Sequence, residues 1–140
     1  MNDSIQIVRI AALALAKHGI ENDQAFDSVS PALAAFGEDD LAERLMDATF
    51  DIPWPGIAAF LAIASWQVSP AAESRIFRTA EEWLIAAQDI RRVQVALHLD
   101  VIPFSGRGRH KEEIELALTN VMERFPETAE QCARLLRSAR

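Results

Sequence analysis

Three acids, Asp39, Glu43 and Asp47, stand at i, i+4 and i+8 in this sequence. On a helix that spacing puts all three carboxylates on one face, where they could hold a divalent cation or meet a basic surface. The ordinary reading of such a run is a solvated face, with Asp40 and Arg44 forming an i,i+4 pair beside it. Contact with a protein partner is preferred here to a metal. Trp54, set in a corner between Pro53 and Pro55, would join that contact as an aromatic anchor.

A second constellation is "SGRGRHK", residues 105–111. Two glycines free the backbone, and Arg107, Arg109, His110 and Lys111 stand at the start of an expected helix. Exposed N–H groups and the positive end of the dipole favour an anion there, and arginine can hold phosphate or carboxylate with two bonds. The segment matches neither phosphate-loop pattern, and no strand precedes it. The plain alternative is a solvated connection between helices.

The remaining reactive types assemble nothing. His18 falls at a helix end, where a cation is mildly stabilising. His98 and Asp100 are two apart and so do not share a helix face. No histidine has another at i+4, so no helical metal pair exists, and no metal or cofactor is expected. Cys132, with Ala129, Ala133 and Leu136 around it, reads as a small buried hydrophobe, and one cysteine allows no internal disulfide. Ser65 and Ser105 lack a nucleophile-elbow context. No catalytic residue can be named. Trp66 and Trp83 fit core positions.

These residues sit in a chain of 140, the size of one domain. Half of it is hydrophobic and a quarter charged, which is globular composition. The net charge of −7 is uneven: residues 1–70 hold 10 acids against Arg9, Lys17 and Arg44, whereas residues 71–140 hold 11 of each sign. Such acidity repels nucleic acid and anionic membranes, so neither is an expected partner. The run Ile52–Ala72 is uncharged, but its prolines leave an apolar stretch of about a dozen residues, the length of a core helix and too short to span a bilayer. The start lacks the order of a secretory signal, and the protein is read as cytoplasmic.

The helical period dominates. Ile5, Val8, Ala12 and Leu15 share one face of a first helix that Gly19 ends. Ser30 and Pro31 open a second, stopped by Gly37. "EDDLAERLMDATF" makes a third, and Pro55 to Trp66 a fourth, apolar all round and therefore central. Ser69-Pro70 begins thirty residues of helical pattern, too long without a break near Gln88–Arg92. A sixth helix buries Ile114, Ala117, Leu118, Val121 and Phe125. Pro126 begins a seventh, with Ala129, Cys132, Ala133 and Leu136 inward. No period-two β-branched run occurs.

Two echoes run through this pattern: "VSPA" at 29–32 and 68–71, and "IPWPG" at 52–56 against "IPFSG" at 102–106. They admit two degenerate helical repeats, or the restricted vocabulary of helix starts and stops. In either case Trp54 and Phe104 plug helix-breaking corners. The expectation is an all-α single domain over 1–140, a compact bundle or short stack of six to seven helices around a central helix at 55–67. Its expected role is non-catalytic: a protein-interaction module (an adaptor, a chaperone-like binder or an inhibitor) that offers its acidic half to a protein partner or a second copy. The alternative is an anion- or small-molecule-binding domain at 105–111, with an enzymatic role left open.

Overall fold

The computed structural model describes residues 3–99 and 111–138. Among them the chain is all-α, with no strand. Its helices are α1 Asp3–His18, α2 Asp23–Asp27, α3 Val29–Phe36, α4 Leu41–Ala48, α5 Trp54–Ser65, α6 Pro70–Ala86, α7 Ile90–Leu97, α8 Lys111–Arg124 and α9 Ala129–Ser138. A 3-10 turn over Pro126–Thr128 leads into α9. That makes nine α-helices among the described residues, more than the sequence suggested. The excess comes from the five-residue α2 and from the break between α6 and α7.

The chain divides into two compact units, Met1–Ile76 and Phe77–Arg140, with the division inside α6. In the first unit α1 packs on α5, α3, α2 and α4, and α5 also meets α3 and α4. Nine residues of α5 are buried, from Gly56 round to Ser65, so the helix expected to be central is enclosed as its composition requires. Gly56 explains how closely α1 approaches. A Cβ there would collide with the Ala12 carbonyl oxygen and stand 2.8 Å from Ala16 Cβ. Val8, Ala11, Ala12 and Leu15 are the buried face of α1, and Ile5 is only half-buried.

Helix ends follow local chemistry. Gly37 ends α3 at φ 87°, with its N–H donating to the Leu33 carbonyl. The Asn22 side chain accepts from the Ala25 N–H and so starts α2. The Ser69 hydroxyl accepts from the Ala72 N–H at the start of α6, with Pro70 as the first helical residue. The other "VSPA" sits differently: Ser28 is the cap of α3, and Ser30 and Pro31 lie inside its first turn. The two copies of "VSPA" therefore do not occupy matching places, and "IPFSG" lies outside the described residues.

In the second unit α8 packs on α9 and on the 3-10 turn. Ile114, Ala117, Leu118 and Val121 are buried as expected, whereas Phe125 is half-buried beyond the helix end. The inward face of α9 differs from expectation. Thr128, Cys132 and Leu135 are buried, Ala129 is exposed, and Ala133 and Leu136 are half-buried. The 3-10 turn winds three residues per turn and so shifts the phase on entering α9. The expected break falls at 87–89. Ala87 closes α6 in the left-handed conformation, φ 48°, its N–H donating to the Trp83 carbonyl, and the Asp89 side chain caps α7.

Candidate functional site

The acidic corner lies between α3 and α4. Helix α4 begins at Leu41, because Asp40 takes the left-handed conformation, φ 49°. Asp39 therefore stands in the turn before the helix, and only Glu43 and Asp47 share its face. The row of three is a corner followed by a helical pair. Asp39, Asp40 and Asp47 are exposed, and Glu43 is half-buried. Glu38, beside them, accepts a hydrogen bond from the Ser69 hydroxyl at 3.0 Å.

Arg44 is the base embedded in this run. Its guanidinium donates to the Phe36 carbonyl at 2.7 Å and to the Asp39 carbonyl at 2.8 Å, and lies 4.1 Å from the Phe36 ring centroid. The orphan carbonyl at the end of α3 gains a partner in this way. The i,i+4 pairing expected with Asp40 gives way to these backbone bonds. Arg9 is engaged too, with a two-bond ion pair to Asp51 at 2.7 and 2.9 Å and a bond to the Ala48 carbonyl.

Between these elements lies a shallow pocket of about 300 Å³ walled by Ile5, Phe36, Arg44, Asp47 and Ala48. Its walls combine the apolar Ile5, Phe36 and Ala48 with two opposite charges, the Asp47 carboxylate and the Arg44 guanidinium. A larger open groove, about 590 Å³, is lined by Ser30, Leu33, Ala34, Gly37, Glu38 and Gln67. Among its described lining residues Glu38 alone is ionisable.

Aromatic placement corrects the sequence reading at one position. Trp83 is buried, but Trp66 is 51 % exposed at the end of α5, where it tilts against Phe26 at 6.3 Å between ring centroids. It falls on the cap residue after the last buried turn, so the apolar run that precedes it does not carry it inward. Trp54 is half-buried as the first residue of α5. The aromatic that the sequence did not single out is Phe50, 73 % exposed between Asp47 and Asp51. Its place just past the end of α4, flanked by acids, was the available signal.

The alternative constellation is not illuminated. Arg107, Arg109 and His110 lie outside the described residues, as do Asp100, Phe104 and Ser105, and Lys111 enters only as the first residue of α8.

In the second unit three described titratable groups are shifted by their surroundings. Burial alone would raise the Asp89 carboxyl. Hydrogen bonds from the Arg92 side chain and the Arg91 N–H, with the Arg92 charge, outweigh it and hold the group below its ordinary range. Partial burial, with the Arg134 charge, lowers His98. Burial pushes the Cys132 thiol up, only partly offset by a bond to the Thr128 hydroxyl at 3.6 Å. Such a thiol stays protonated and is a poor nucleophile. Glu81 is an ionisable side chain only 4 % exposed in α6, which the adjacent Glu82 did not reveal. Among the described residues no three His, Cys, Asp or Glu side chains gather as metal ligands. No helix among them is long and apolar enough to cross a membrane.

Comparison with protein-family models, with curated proteins and with solved structures finds no match.

Proposed function

We propose that this protein is a non-catalytic interaction module whose first unit binds a basic protein surface. The contact is the corner and face formed by Asp39, Asp40, Glu43 and Asp47, with Phe50 as its exposed aromatic and Trp54 at its edge. The observation that carries this reading is the direction of Arg44. The one base within the acid run turns its donors onto the Phe36 and Asp39 carbonyls. With Asp39, Asp40 and Asp47 exposed beside it, the surface presents a negative potential to solvent. Acid-lined surfaces of this kind speed encounter and select partners by charge more than they add affinity.

The test compares the wild type with an Asp39→Lys, Glu43→Lys, Asp47→Lys variant as bait in extract of the native organism at low and moderate salt. Basic proteins should be retained by the wild type at low salt, released at moderate salt, and missing from the variant. An identical set bound by both chains would overturn the reading.

A further inference from the structure

Helix α1 carries an apolar stripe that its own fold does not cover. Ile7, Ile10 and Leu13 are 39 %, 65 % and 42 % exposed, on a helix whose other face is fully buried at Val8 and Ala12. Arg9, which bonds to Ala48 and Asp51, lies about 100° round the helix from Ile10. The stripe is thus a separate surface from the acidic corner.

Its order along the helix is symmetric about Ile10. Ile7 and Leu13 stand three positions to either side. Asp3 and Lys17 stand seven positions to either side, both exposed. Seven residues are nearly two full turns, so both charges fall close to the line of Ile10 and about 10 Å from it. A two-fold axis through Ile10 would set a second α1 antiparallel to the first. Ile10 then meets Ile10, each Ile7 meets a Leu13, and each Asp3 meets a Lys17. A parallel arrangement would instead set Asp3 against Asp3 and Lys17 against Lys17.

We infer that the exposed face of α1 is a self-association surface, and that two copies of this chain pair through antiparallel α1 helices with Ile10 on the dyad. An isologous contact needs a patch complementary to itself under a two-fold rotation, and this one is so in both shape class and charge. Opposed helix dipoles add to the preference for the antiparallel sense. The area is modest. One helix stripe falls short of the roughly 800 Å² per partner of a tight interface, so the dimer is weak. This surface and the acidic corner stand or fall separately.

Sedimentation equilibrium of the full chain from a few micromolar to about 1 mM, where even weak association is populated, tests it. The wild type should move from monomer to dimer across the range, and Ile10→Lys should stay monomeric with its helical circular dichroism intact. Asp3→Lys alone and Lys17→Asp alone should each weaken the dimer several-fold, and the two together should restore it. A wild type that is monomeric throughout, or an Ile10→Lys chain that dimerises normally, would overturn the proposal. So would loss of the dimer in Leu116→Lys, an exposed position of the second unit, with Ile10→Lys unaffected. If Ile10 is required but the charge exchange gives no rescue, the antiparallel register is wrong.

Discussion

Arg44 donates to two carbonyls at once and sets its guanidinium carbon over the Phe36 ring, and each contact removes a different penalty. The Phe36 carbonyl sits in the last turn of α3, where no intrahelical donor reaches it. The Phe36 ring, 7 % exposed, is covered on one side by the guanidinium. Arg44→Ala should therefore cost about 1–2 kcal/mol, from a lost charged hydrogen bond and a lost cation–ring contact. Arg44→Lys should recover less than half of that, because an ammonium cannot bond both carbonyls and stack as well. Urea titrations of the three chains decide it. A lysine variant as stable as the wild type would mean that charge, and not the planar fork, holds the corner. The acid run around Arg44 was legible from residue spacing. Its inward turn was not, because a guanidinium's choice between a carboxylate and a carbonyl depends on where α3 happens to end.

Gly56 permits a close approach of α1 to α5 in the first unit. Alanine in its place would gain up to about 1 kcal/mol in helix propensity. Against that, the new methyl would meet the Ala12 carbonyl oxygen, with the Ala16 nitrogen 3.1 Å away, and these are backbone atoms that cannot swing aside. Overpacking of this kind costs about 1–3 kcal/mol, so Gly56→Ala should lower the midpoint of thermal unfolding. An unchanged or raised midpoint would show slack between α1 and α5. The sequence announced the length and burial of α5, the break near residue 88 and the buried face of α8, because these rest on long periodic patterns. It concealed α2, a single turn whose main signal is the Asn22 cap. It misplaced the inward face of α9, because the 3-10 turn resets the phase. It also missed the exposed stripe on α1, whose Ile7, Ile10 and Leu13 look in composition like any core-facing set.

The charge of the whole chain separates the two proposed contacts by the sign of their salt dependence. Each copy carries a net −7, so two copies repel one another at long range. The stripe opposes this with an apolar centre, which added salt does not screen, and with two exposed ion pairs, each worth about 0–1 kcal/mol. As ionic strength rises, the Debye length falls from about 10 Å at 0.1 M toward 3 Å at 1 M. Salt then removes the repulsion between the two acidic bodies together with the small ion-pair attraction. Self-association should thus hold or tighten between about 0.05 and 0.5 M sodium chloride, and sulfate should tighten it further through the apolar term. Binding of a basic protein at the Asp39–Asp47 corner has only the attractive long-range component, so it should weaken several-fold over the same range. Sedimentation equilibrium for the first contact and titration calorimetry for the second read these signs independently. A dimer that dissociates as salt is added would owe its stability to charge pairs. It would then have to be sought away from Ile10.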